Sequence, residues 1–180
     1  MVKAMGKKKI IHLLIDIIAL IVLIVVDRIT KNLAVINLKD KKPFVLWEDV
    51  FELYYLENRG AAFGMMQNKQ ALFFITGIIM LCIVAYVLIK MPFGYKYTLF
   101  EIALVLLGSG AIGNMIDRIS QNYVVDFFYF VLINFPIFNV ADIYVTISCI
   151  MLAIMILFVF KDEELKFLSF KNKAKDNAEI

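Results

Sequence analysis

The stretch that decides the fold is 71-ALFFITGIIMLCIVAYVLI-89, a run without a single charge. A helix rises 1.5 Å per residue, so about 17–25 apolar residues cross a hydrocarbon core. In lipid every backbone N–H and C=O must find its partner within the structure. The run lacks the alternation of a barrel strand, so it reads as a transmembrane helix. Working outward, three further windows share this character. Residues 10–26 are apolar except for His12 and Asp16, residues 97–115 carry only Glu101, and residues 140–160 carry only Asp142. Hydrophobic residues make up 62% of the 180, against roughly 45–50% apolar in soluble domains. The expectation is an all-α polytopic membrane protein with four transmembrane helices in one domain (residues 1–180). The spans fall at about 10–26, 71–89, 97–115 and 140–160.

Orientation follows from the lysines. Lys3, Lys7, Lys8 and Lys9 precede the first span, Lys90 and Lys96 sit between the second and third, and Lys161, Lys166, Lys171, Lys173 and Lys175 follow the last. The positive-inside rule then favours N-in/C-in, with an extracytoplasmic loop at 27–70 and a solvated cytoplasmic tail at 161–180. That loop also carries basic residues, but six acids accompany them. Within it, Pro43 to Asn58 mixes aromatic and β-branched residues with charges, which predicts a small extracytoplasmic β-containing region at the membrane surface. Trp47, Tyr54 and Tyr55 suit the headgroup level. The N-terminus is built like a signal peptide, yet the apolar run ends in VVDRITK without a small-x-small site, so it reads as a retained span.

The net charge of +3 describes cytoplasmic rims near anionic lipid and makes no case for nucleic acid. Cys82 and Cys149 lie within spans, which argues against a disulfide framework. With one histidine, His12, and no cysteine cluster, neither a metal site nor another cofactor is expected.

Polar residues cluster at the outer ends of the spans, at helical spacings. Asp27 and Lys31 in DRITK are i and i+4 and share a face if the first helix continues, as an ordinary helix-end ion pair would. In LLGSGAIGNMIDR (106–118), Gly110, Asn114 and either Asp117 or Arg118 fall on one face. The small residues permit close helix approach. A charge within a span costs about 2.5–3.5 kcal/mol when central, so this face is functional or lines a wet cavity. In FNVAD (138–142), Asn139 and Asp142 also share a face, and Asn139 reads equally as a helix N-cap.

Asp126 lies in VVDFFYF, and a connection broken by Pro136 leads on to Asp142. A turn at the outer surface can bring the two carboxylates together. Where water is scarce they cannot both ionise easily, so one keeps its proton and the pair titrates as a unit. The charged partner can then activate a water while the neutral one hydrogen-bonds a carbonyl oxygen. That is peptide hydrolysis without metal or nucleophilic side chain. NRGAAFG (58–64) adds a small, flexible turn bearing one amide.

DRITK, NRGAAF, GAIGNMIDR, VVDF and FNVAD occur in this order between Asp27 and Asp142, and together they resemble the lipoprotein signal peptidase (signal peptidase II) family. The resemblance implies an aspartic endopeptidase of the bacterial cell membrane. It would cut the signal peptide from diacylglyceryl-modified prolipoproteins before the lipidated cysteine, with its site on the extracytoplasmic side. Carried over by position, Asp126 and Asp142 are the catalytic pair. Asn58, Gly60, Asn114, Arg118 and Asn139 bind or orient substrate, and Asp27, Lys31 and Asp117 support the site. The lipopeptide globomycin is the implied inhibitor, and nothing in the sequence points to an oligomer rather than a monomer. Ser109 departs from the pattern, since relatives often carry glycine there.

Other membrane classes fit less well. A Ser–His dyad needs a suitable histidine, and His12 lies at the wrong end. HExxH and the YD/GxGD pair are absent. A small proton- or cation-coupled transporter or channel would want charges near the midplane and a repeat between halves, and neither is present.

Overall fold

Helix α1 (Val2–Leu38) is the longest element of the computed structural model, which describes residues 2–60 and 70–168. It continues about three turns past the expected end of the first span. DRITKNLAVINL holds no glycine or proline to stop it, and Asp40, in the left-handed region at φ 59°, follows its last turn. The segment expected as loop therefore begins as helix. This continuation is what puts Asp27 and Lys31 on one rigid face.

After α1 the chain forms a hairpin, β1 (Phe44–Trp47) and β2 (Phe51–Asn58), in the region expected to hold strands. Helix α2 (Gln70–Lys90) leads through a single 3₁₀ turn at Tyr95–Tyr97 into α3 (Thr98–Gln121). Helix α3 runs about two turns beyond the expected 115 and stops at Asn122, whose left-handed backbone (φ 64°) turns its N–H onto the Arg118 carbonyl at 3.1 Å. It is the central helix, packing against α1, α2 and α4. Among the described residues four helices are long and apolar enough to cross a membrane.

Strand β3 (Val124–Phe130) was not anticipated. Its run VVDFFYF is apolar on both faces, so no alternation betrays it. It completes an antiparallel sheet of order β1-β2-β3, with Leu56 opposite Asp126 and Asn58 opposite Val124. The following turn brings Phe138 back onto β3, where the N–H groups of Phe127 and Phe128 donate to its carbonyl at 3.0 and 2.8 Å. This clamp delivers Asn139 to the start of α4 (Val140–Ile154), which ends in a π-helical turn at Met155–Val159.

At the far end from the sheet, the Lys9 ammonium donates to the carbonyls of Ile89 and Met91. The segment after α4 folds back there as well. Asp162–Leu168 forms a 3₁₀ helix whose Phe167 ring meets Tyr97 and Phe100 edge-on. The expected solvated tail is thus corrected for these residues. Leu165, Phe167 and Leu168 supply apolar contacts among the charges, and their burial outweighs the local polarity. The remainder of that tail, and Ala61 to Gly64 of the glycine turn, lie outside the described residues.

Candidate active site

A cavity of about 450 Å3 opens between β3, the end of α3 and the start of α4. Asp126 and Asp142 both line it, together with Asn58, Asn114 and Arg118. Its remaining wall is mostly apolar, built by Val124, Phe135 to Phe138 and the α4 residues Ile143, Val145, Thr146 and Ile147.

Four amide donors hold the two carboxylates. Asn58 Nδ2 donates to Asp126 Oδ2 at 2.8 Å, and Asn139 Nδ2 donates to Asp126 Oδ1 at 2.6 Å. Asn114 Nδ2 donates to Asp142 Oδ1 at 2.8 Å, while the backbone N–H of Asn139 donates to Asp142 Oδ2 at 3.0 Å. Asn139 also accepts from the Asp142 N–H at 3.1 Å, which completes a capping box at the start of α4. The two readings of Asn139 are therefore compatible. Its carbonyl oxygen and backbone N–H serve the helix cap, and its amide nitrogen serves Asp126.

Asp126 is 1% exposed. Burial pushes its carboxyl up to about 7, and the charge of Asp142 raises it further against the lowering effect of the two asparagine amides. Burial thus favours the protonated form of Asp126 far more than in a free carboxyl.

Behind this pair lies a buried ionic cluster. Lys31, 2% exposed, sits 2.9 Å from Asp27 Oδ2 and 2.9 Å from Asp117 Oδ2, both acids being fully buried. The ammonium also donates to Asn114 Oδ1 at 2.9 Å, the atom that accepts from Asn139 Nδ2 at 3.2 Å. With its oxygen so occupied, the Asn114 amide must turn its nitrogen to Asp142. Asp27 reaches α4 directly, accepting the N–H of Ala141 at 3.0 Å. DRITK thus contacts the two-carboxylate site through Asn114 and through the first turn of α4.

Asp117 and Arg118, left as alternatives on one helix face, divide between the two compartments. Asp117 points to α1, and Arg118 points to the cavity. The Arg118 guanidinium lies 4.7 Å from the Phe73 ring centre and donates to the Gly60 carbonyl at 3.3 Å. Gly60 in turn donates its N–H to Asn58 Oδ1 at 2.9 Å, fixing the amide that faces Asp126.

Close packing of α3 on α4 requires Gly110. A Cβ there would stand 2.5 Å from the Ala141 carbonyl oxygen. Ser109, fully buried, is accommodated because its hydroxyl donates to the Val105 carbonyl at 2.7 Å.

Two contributors escaped the sequence reading. Arg28 pairs with Asp117, and its place beside Asp27 in DRITK was the available signal. Phe135 to Phe138 wall the cavity, and only their position between the two aspartates hinted at it.

Comparison with known proteins gives the family. A family model described as signal peptidase (SPase) II matches residues 18–158. A lipoprotein signal peptidase from Clostridium tetani is 41% identical over 152 residues, covering 82% of this chain and 94% of the relative. One from Clostridioides difficile is 38% identical over 143 residues, covering 79% and 94%. Among solved structures, a bacterial membrane enzyme determined by the in meso method at 2.3 Å resolution aligns with a TM-score of 0.71 and 29% identity, over 87% of this chain and 93% of that one.

Proposed function

The chain belongs to the signal peptidase II family, and from that premise we propose that Asp126 and Asp142 are its catalytic dyad. It is a multi-pass membrane protein and an aspartic peptidase that removes signal peptides from prolipoproteins. The transporter alternative is not favoured.

The observation that carries the dyad assignment is Asn139 joined to both carboxylates at the mouth of one apolar-walled cavity. Asp126 holds the proton in the resting state and hydrogen-bonds the scissile carbonyl oxygen. Asp142 takes a proton from a water positioned between the pair, and that water attacks the carbonyl carbon. The tetrahedral intermediate collapses as the dyad returns a proton to the leaving amine. Arg118 and Asn58 border the same cavity and orient the peptide, and Gly60 joins them by its carbonyl and N–H. Asn114 and Asn139 hold the acids, while Asp27, Lys31 and Asp117 keep Asn114 and α4 in register.

The substrate is a precursor bearing a diacylglyceryl group on the cysteine that follows the cut. The cavity's apolar wall suits a substrate delivered from lipid, and a globomycin-type lipopeptide would compete for it. The sheet end faces the extracytoplasmic side of the bacterial cell membrane and both termini face the cytoplasm, a reading supported by the lysines at the opposite end. The test is a gel-shift cleavage assay on purified protein with matched precursors, one diacylglyceryl-modified and one unmodified. Cleavage of the modified precursor alone is expected. Equal cleavage of both would remove the lipid from the substrate definition.

A further inference from the structure

Only one face of the sheet turns toward the dyad. Side chains alternate along a strand, so the neighbours of Asp126, Val125 and Phe127, point the other way and pack on Ala34 and Leu38 of α1. On this far side a cavity of about 610 Å3 opens between the last turns of α1 and the β1–β2 hairpin. Ligand pockets span about 300–1,000 Å3, so it is large enough to take a ligand. Leu33, Ala34, Leu38, Phe44, Leu53 and Phe127 form its apolar wall. The charged groups lining it are Lys41 and Lys42, with no carboxylate among the described lining residues.

The lysines are placed for a headgroup. Lys41 donates to the Ile36 carbonyl at 3.2 Å, which anchors its charge at the end of α1. Alongside the cavity Ile29, Leu33 and Ile36 are exposed, and Val22, Val25 and Val26 continue the exposed apolar surface down α1. Beside it all four residues of β1 are exposed, from Phe44 to Trp47. An acyl chain can follow this face into the cavity directly from the bilayer, while the lysines meet the phosphate.

We propose that this cavity binds an anionic phospholipid, with its headgroup on Lys41 and Lys42 and an acyl chain against Leu33, Phe44 and Phe127. Two cations without a lining acid complement a net negative headgroup, whereas a zwitterionic one brings a cation of its own that nothing there neutralises. The lipid would brace the hairpin against α1 from behind, on the side away from the reacting groups.

Trp47, the chain's single tryptophan, is exposed on β1 three residues after Phe44, which lines the cavity, and reports lipid beside it. The protein would be placed in phosphatidylcholine nanodiscs containing increasing fractions of brominated phosphatidylglycerol or brominated phosphatidylcholine. Brominated phosphatidylglycerol should quench Trp47 at the lower mole fraction, with a preference of about fivefold per lysine. In a Lys41→Gln/Lys42→Gln variant the two lipids should quench alike. Equal quenching in the wild type, a comparison that needs no variant, would overturn the proposal, as would a preference that survives the double substitution. Relief of quenching by a diacylglyceryl-modified precursor would also overturn it, because the substrate's own lipid would then be the occupant. None of these readouts requires peptidase activity.

Discussion

Asn139 donates its side-chain amide to Asp126 at 2.6 Å from the N-cap position of α4. The residue that starts the last helix is therefore also the residue that fixes a carboxylate on a different element. Helix capping and site geometry are one structural event here.

Separating the two roles gives the first prediction. Asn139→Ser retains a capping oxygen but loses the amide donor, so thermal stability should change little, while cleavage falls about 10²-fold, the order of loss expected from misplacing a reacting group. Asn139→Ala removes the cap as well and should cost a further ~1 kcal/mol of stability. Thermal unfolding in detergent together with cleavage rates separates these effects.

The raised carboxyl of Asp126 sets a pH signature. Activity requires the dyad to hold one proton. The rate should therefore fall on the alkaline side as pH rises through about 7, where Asp126 loses its proton. It should fall again in acid, when the pair takes up a second proton, giving a bell-shaped profile. Stability follows the same group with a definite sign. A folded-state value above the unfolded value of 3.8 means the folded protein binds more protons between the two. Stability contributed by this group is thus lost as pH rises from about 4 to about 7, and is level above. Asp126→Asn should gain stability relative to wild type across that window, measured as the difference in Tm against pH.

Lys31 is a buried cation between two buried acids. Lys31→Met leaves Asp27 without its cation and Asp117 with Arg28 alone, and should cost about 3–5 kcal/mol. The Asn114 amide also loses the contact that fixes its orientation. Restoring neutrality with Asp27→Asn in the same chain, Asp117 keeping Arg28 as its partner, should recover much of the stability but not the cleavage rate. Equal recovery of both would show that the cluster has no bearing on the dyad.

Glycine contacts on α3 predict a contrast within one turn. Gly110→Ala drives a methyl into the Ala141 carbonyl, 2.5 Å away, where backbone cannot yield cheaply. The expected cost is about 1–3 kcal/mol, with a larger loss of activity because Asp142 moves with α4. At Gly108 a Cβ would meet only the side chains of Leu20 and Val84, each at 3.6 Å, so Gly108→Ala should be close to neutral. Parallel unfolding and cleavage measurements on the two variants test this.

The bundle was legible because a span must be apolar throughout, and a run such as 71–89 has no soluble reading. The convergence of two carboxylates on one cavity was legible for the converse reason, since Asp126 and Asp142 stand out against apolar neighbours. The β1–β2 hairpin showed in its mixed alternation. Strand β3 did not, because a strand buried on both faces loses its period. The extension of α1 past Asp27 was foreshadowed only as a condition on the Asp27–Lys31 pair. The fold-back of Asp162–Leu168 was hidden by its charges, as it rests on a few apolar side chains meeting Tyr97 and Phe100 across the fold. The division of labour between Asp117 and Arg118 depends on which helices flank α3, and periodicity alone cannot supply that.

The most direct test of the central claim is cleavage of a diacylglyceryl-modified precursor by wild type, Asp126→Asn and Asp142→Asn, each shown by its unfolding profile to be folded. Both substitutions keep the size of the side chain and remove its charge. The account predicts cleavage by wild type, undiminished by EDTA, and none by either variant. Full-rate cleavage by either folded variant would contradict the dyad.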